Sequence, residues 1–157
     1  MHRAVAPLAY FAERLAGDLA EVRFPAPDDV DPAFWMPDAE TIAGYQAADL
    51  VLLNGADYAK WTTKVSLPRS RLVDTSRAFR DAYIRAAGAV THSHGPGGEH
   101  DHGGLAFTTW LDLSQAAQQA EAIAQALIRK RPDAKAQIER NLDSIEADLL
   151  ALDARIA

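Results

Sequence analysis

The sequence predicts an α/β fold: a parallel sheet of about four strands flanked by helices, ending in a long C-terminal helix. Two observations carry this. Helix-like and strand-like patterns alternate along the first half of the chain, which is how a parallel sheet with crossover helices reads. Residues 49–54 (DLVLLN) form a continuous apolar run bounded by Gly55, as expected of a strand buried on both faces. At 157 residues the chain is long enough for one domain with a real core.

The elements follow in order. Residues 2–6 (HRAVA) are a short apolar start. Pro7 is suited to a first helical turn, and LAYFAERLAG places Leu8, Phe11, Ala12 and Leu15 on one face, with Gly17 as the cap. Residues 20–24 (AEVRF) alternate and predict a strand. The proline-rich stretch PAPDDVDPAFWMP is a loop, and its Asp28, Asp29 and Asp31 form a solvated turn rather than a hard-cation site. Pro37 begins the next helix, PDAETIAGYQAA, with Asp38 and Glu40 in its first turn, where the helix dipole favours acids. After the 49–54 strand come a short helix around ADYAKWTTKV and a strand at 71–75 (RLVDT). Two long helices close the chain, one from about Asp112 to Arg131 and one from near Pro132 to the end.

The last helix has a narrow apolar seam: Ile138, Leu142, Ile145, Leu149, Leu152 and Ile156 alternate at spacings of four and three. Either it lies on its own domain, or the 138–156 seam meets a second lobe or another copy of the chain.

The densest chemical signal is THSHGPGGEHDHGG, residues 91–104. It holds four of the five histidines, His92, His94, His100 and His102, with Glu99 and Asp101 between them as accessory carboxylates. The glycines and Pro96 oppose helix and strand. Neutral imidazole is a good ligand for zinc, copper and nickel, and near neutral pH these side chains bind metal at little proton cost. Two H-x-H pairs on a flexible loop can close a four-nitrogen site, although the spacing is not that of a zinc finger. Sites on parallel sheets lie at the carboxyl ends of the strands, here the loops 25–37, 54–57, 75–78 and 91–110. Trp35 and Trp110 fall there as possible pocket aromatics.

Other chemistries find little support. Cysteine is absent, which removes thiolate ligands and thiol catalysis. Asp74, Ser76 and Asp112 with a loop histidine do not have the spacing of a triad, there is no G-x-S-x-G elbow, and the chain is not expected to be an enzyme. There is no phosphate-binding glycine motif. Net charge is −6, so nucleic acid is not an expected partner. No apolar run is long enough to span a membrane. No signal peptide precedes the first helix, as though the chain begins after a cleavage point.

Several segments together resemble the N-terminal lobe of the zinc- and manganese-binding (cluster A-I) periplasmic solute-binding proteins of ABC importers. AVAPLAYFAERLAGDLAEVRF is similar to the family's opening strand, helix and second strand. DPAFWMPDAETIAGYQAADLVLLNG resembles the segment that begins Asp-Pro-His and ends in a buried strand and Asn-Gly, and Trp61 matches an aromatic that follows it. TTWLDLSQA is similar to the family's His-x-Trp-Leu-Asp-Pro, and ERNLDSIEADLLALDARI to the start of the helix joining the two lobes. The resemblance implies a single Rossmann-like lobe at 1–131 and a linker-like helix at 132–157. It further implies a periplasmic location, an ABC permease as partner, and Zn2+ as cargo, with Mn2+, Ni2+ or Cu2+ as alternatives.

The departures are specific. The family's first ligand histidine follows Asp-Pro, and here Asp31-Pro32 is followed by Ala33. Its second stands where this chain has Thr108, before Thr109-Trp110-Leu111-Asp112. The remaining family ligands belong to a second lobe. The loop histidines are therefore the expected metal site. The alternatives are a single-lobe interaction or dimerisation protein, or a receptor for an organic or metal-chelate ligand, with the inter-lobe metal site lost.

Overall fold

The computed structural model describes residues 7–84 and 106–156. Helix α1 spans Pro7–Ala16 and buries Phe11, Ala12 and Leu15 as the sequence predicts. It stops at Gly17, whose φ of +50° suits a residue without a Cβ. Helix α2 spans Ala39–Ala47. Its N-cap is Asp38, which accepts a hydrogen bond from the Thr41 amide at 2.8 Å, so Pro37 lies just outside the helix.

Strand β1 is Val51–Leu53 and strand β2 is Leu72–Asp74. They pair in parallel, with Val51 opposite Leu72 and Leu53 opposite Asp74. The sheet of about four strands is therefore two-stranded among the described residues. Residues 20–24, expected as a strand, make no ladder there. Their alternation survives as packing: Val22 lies against the core while Glu21 and Arg23 pair outside it at 2.8 Å. Period-two burial requires only an extended chain on an apolar surface, whereas a strand also requires a hydrogen-bonding neighbour. Residues 2–6 lie outside the described residues.

The expected helix around ADYAKWTTKV shrinks to a 3-10 turn at Lys60–Thr63. Ala56 and Asp57 are spent in left-handed conformation, and the β-branched Thr62, Thr63 and Val65 disfavour continuation. Trp61 is buried there against Tyr45, with ring centroids 4.9 Å apart.

Helix α3 (Leu113–Lys130) and helix α4 (Lys135–Ile156) follow, separated by a 3-10 turn at Pro132–Ala134. The core lies where α1, α3 and α4 meet: Phe11 and Leu15 from α1, Ala116, Ala120 and Ile123 from α3, and Ile138 and Ile145 from α4. Alanines on the buried face of α3 let the neighbouring helices approach closely. Most of the 138–156 seam is covered within the chain. Ile138 and Ile145 are fully buried, and Leu142 and Leu149 pack against the same core. Only the end stands clear, with Leu152 42% and Ile156 69% exposed. No helix among the described residues is long and apolar enough to cross a membrane.

Candidate metal-binding edge

The carboxyl ends of β1 and β2 open onto one edge. After β1 the chain makes a tight reversed turn: Ala56 and Asp57 have φ of +49° and +57°, and the Tyr58 amide donates to the Gly55 carbonyl at 3.1 Å. Gly55 itself has φ of +76°. A Cβ there would overlap Ser76 Oγ and lie 2.5 Å from Asp74 Oδ1, so glycine is required. The turn points Tyr58 at Phe107 and Trp110, with ring centroids at 5.4 and 5.6 Å. Burial raises the Tyr58 phenol above its ordinary pKa, and the negative charge of Asp31 adds to the shift.

After β2, Asp74 Oδ1 accepts from the Ser76 hydroxyl at 3.0 Å and from its amide at 3.2 Å. Its other oxygen pairs with Arg80, and Ser76 Oγ also meets the Tyr83 hydroxyl. Tyr83 in turn accepts from the Ala56 amide at 3.3 Å, tying the two strand ends together. Asp74 and Ser76 thus brace the turn at Gly55. Asp112, the other carboxylate weighed for the discounted triad, caps α3 by accepting from the Ser114 and Gln115 amides at 2.9 and 3.2 Å.

The two positions where the resemblance leads one to expect histidine, Ala33 and Thr108, are both described. Asp31 Oδ1 accepts from the Ala33 amide at 2.9 Å, and the Asp31 carbonyl accepts from the Phe34 and Trp35 amides at 3.0 Å. Ala33 is buried in this turn and offers only a methyl group. Thr108 is exposed and precedes a 3-10 turn at Thr109–Leu111. Among the described residues no group of three or more His, Cys, Asp or Glu side chains is placed to hold a metal ion.

His92, His94, His100 and His102, with Glu99 and Asp101, lie outside the described residues. The flanks of that segment are described: the Ala106 amide donates to the Ile84 carbonyl at 2.8 Å. Of the two predicted aromatics, Trp110 joins the Tyr58–Phe107 cluster. Trp35 is half-buried and makes no aromatic pair among the described residues. Asp28 and Asp29 are exposed in a turn, as expected. Sequence reasoning missed Asn54, Tyr58, Thr75 and Gln119. Asn54-Gly55 at the end of a buried strand was the available signal for the first. A glutamine inside a helix carries no comparable signal.

The family model described as zinc-uptake complex component A, periplasmic (ZnuA), matches residues 4–157. The metal ABC transporter substrate-binding lipoprotein SsaB of Streptococcus sanguinis is 29% identical over 154 residues, covering 93% of this chain and 46% of its own length. The manganese ABC transporter substrate-binding lipoprotein scaA of Streptococcus gordonii is 30% identical over 153 residues, with the same coverage of 93% and 46%. The chain thus spans about half the length of these relatives. Among solved structures, the metal-dependent lipoprotein YcdH from Bacillus subtilis superposes with a TM-score of 0.77 at 22% identity, over 94% of this chain and 50% of that one. The family model matches nearly the whole chain while the chain spans about half of its relatives, and the chain belongs to the zinc-uptake complex component A family, corresponding to its N-terminal lobe.

Proposed function

We propose that this lobe binds divalent metal, zinc first, in the service of ABC-type metal uptake, and that His92, His94, His100 and His102 capture it with Glu99 and Asp101 as accessory groups. One observation carries the reading. The segment holding these histidines is bounded by Ile84 and Ala106, which are hydrogen-bonded to each other beside Phe107 and Thr108. The two ends of the segment thus meet close in sequence to Thr108, where an imidazole is missing, and this supports the reading. The family supports metal as the cargo. The family's description names zinc and one relative's name manganese, and nitrogen ligands favour zinc, nickel or copper over manganese.

Capture proceeds by imidazole lone pairs displacing water from the ion. The two carboxylates offset its charge. A glycine-rich segment makes binding fast and of moderate affinity, suited to collection and delivery. In this reading the protein is a periplasmic receptor component rather than an enzyme. Its partner is an ABC permease, residues 1–131 form the metal-handling lobe, and 132–157 is the helix leading to a second lobe.

The test is a zinc titration by calorimetry at neutral pH on the chain and on the variant with all four histidines changed to alanine. One saturable equivalent, with a Kd below about 1 μM (roughly −8 kcal/mol), is expected for the native chain and is lost in the variant. Binding should also weaken in acid, because a protonated imidazole has no lone pair to offer the ion. Equal binding by both proteins, or none by either, refutes the proposal.

A further inference from the structure

Among the described residues, strand β2 has no strand on the side away from β1. The Thr75 amide donates to the Leu53 carbonyl at 3.0 Å, so Thr75 and, two residues back, Val73 turn their backbone groups toward β1. Leu72 and Asp74 turn theirs outward. The Leu72 amide is taken by the Arg69 carbonyl. The Leu72 carbonyl and both backbone groups of Asp74 have no backbone partner among the described residues. Such a row is a template for a further strand.

A groove of about 370 Å³ lies on the same side. It is lined by residues 72–75, by Arg77 and Ala78 beyond the strand, and by Ala122, Gln125 and Arg129 of α3, with no residue of β1. Leu72, Val73, Ala78 and Ala122 give it apolar surface. The two arginines stand at its opposite ends. Helix α3 is fastened to the sheet by the buried Gln119, whose Nε2 donates to Thr75 Oγ1 and to Asn54 Oδ1, both at 3.1 Å. Asn54 in turn donates to the Phe107 carbonyl at 2.9 Å. Gln119 therefore marks the carboxyl end of β2. Arg129 is ten residues further on, about 15 Å along the helix, yet it lines the same groove as Leu72. So α3 runs back along the strand, which puts Arg129 toward the amino end of β2 and Arg77 past its carboxyl end.

Both arginines are exposed, and neither forms an ion pair among the described residues. The one carboxylate in the lining, Asp74, is engaged by Arg80 and by the Ser76 hydroxyl. A chain of net charge −6 thus presents two cations about a strand's length apart, beside open backbone groups. A second copy does not suit this edge. Antiparallel pairing would set Arg129 of one copy against Arg77 of the other, and parallel pairing would set each against its like. Acidic groups at both ends of an extended segment do suit it. A five-residue strand carries its first and last side chains on one face, about 13 Å apart.

We propose that the outer edge of β2, with the groove under α3, docks an extended acidic segment of another protein, which adds as a strand beside β2 and sets carboxylates on Arg77 and Arg129. This surface does not depend on metal capture.

The probe is the end-blocked, dansyl-labelled peptide Glu-Val-Thr-Val-Glu, titrated by fluorescence anisotropy against the whole chain with a chelator present. Binding is expected to saturate with a Kd below about 100 μM. Arg77→Glu and Arg129→Glu should each weaken it at least about fivefold, and the double variant by roughly the product, because the two sites stand apart. The double variant should instead take Lys-Val-Thr-Val-Lys, which the native chain leaves unbound. Methylating the three inner amides of the probe keeps both carboxylates but blocks strand addition, and should weaken binding at least about tenfold. Arg77→Gln and Arg129→Gln carry the test if a charge reversal fails to fold. No saturable binding, unchanged affinity in folded variants, or equal binding of the methylated peptide overturns the proposal. Displacement by glutarate at the peptide's own concentration also overturns it and assigns the groove to a small dicarboxylate.

Discussion

Gly55→Ala is the change to which this edge is most sensitive. Two costs combine. The backbone at φ +76° is left-handed, which costs an L-residue roughly 1–2 kcal/mol. The new methyl would overlap Ser76 Oγ, lie 2.5 Å from Asp74 Oδ1 and lie 3.0 Å from the Tyr83 hydroxyl. Ser76 cannot swing away freely, because its hydroxyl is held by Asp74 at 3.0 Å and by Tyr83. Making room costs about 1–3 kcal/mol of overpacking, and each hydrogen bond given up costs about 1 kcal/mol more. The expected loss is about 3–5 kcal/mol, a large part of the roughly 5–15 kcal/mol that holds a domain folded. Urea unfolding followed by far-ultraviolet circular dichroism should show the midpoint falling by more than about 1 M, given slopes of about 1–3 kcal/mol/M. Adding Ser76→Gly should recover part of the loss, because it removes the nearest obstruction but neither the Asp74 contact nor the backbone cost. A Gly55→Ala loss below about 1 kcal/mol would refute the argument that Ser76 and Asp74 close off this position.

Two further outcomes follow from the packing. Ile145→Ala should cost about 2–5 kcal/mol by leaving a cavity in the three-helix core, while Ile156→Ala, in an exposed turn of the same seam, should stay within about 0.5 kcal/mol; similar losses at both sites in thermal unfolding would contradict the assigned burial. Asp112→Ala should cost about 1 kcal/mol at neutral pH through loss of the α3 cap. Its hydrogen bond from Ser114 holds the Asp112 carboxyl below the usual range, so the cap's stabilisation is present above about pH 4 and is lost as pH falls through the lowered value. The gap between the native chain and Asp112→Ala should therefore narrow in acid, and a gap independent of pH would argue against the ionised cap.

Much of the architecture was legible because it depends on neighbours in the chain. Pro7 and Gly17 bracket α1, α2 and α3 begin within two residues of Pro37 and Asp112 as expected, and the apolar run before Asn54-Gly55 marks β1. The family too was legible, because the Asp31-Pro32 turn and the Thr109–Asp112 stretch keep their order even where Ala33 and Thr108 replace the expected histidines. Residues 20–24 misled because alternation reports which side chains are buried and cannot report whether a neighbouring strand offers its backbone.

Tyr58 and Gln119 were invisible for a related reason. One gains its role from rings 49 and 52 positions later in the chain, and the other from Asn54 and Thr75, 65 and 44 positions earlier. The sequence by itself determined the helices with their caps, the buried strand, the glycine turn and the supply of imidazoles, since each depends on local conformational preference or composition. Only the tertiary structure decided that the C-terminal seam is spent mostly on its own core, that the strand ends are braced by Asp74, Ser76 and Tyr83, and that a buried glutamine joins them to Phe107. Those outcomes depend on hydrogen bonds and contacts between distant segments, and local propensity does not encode them.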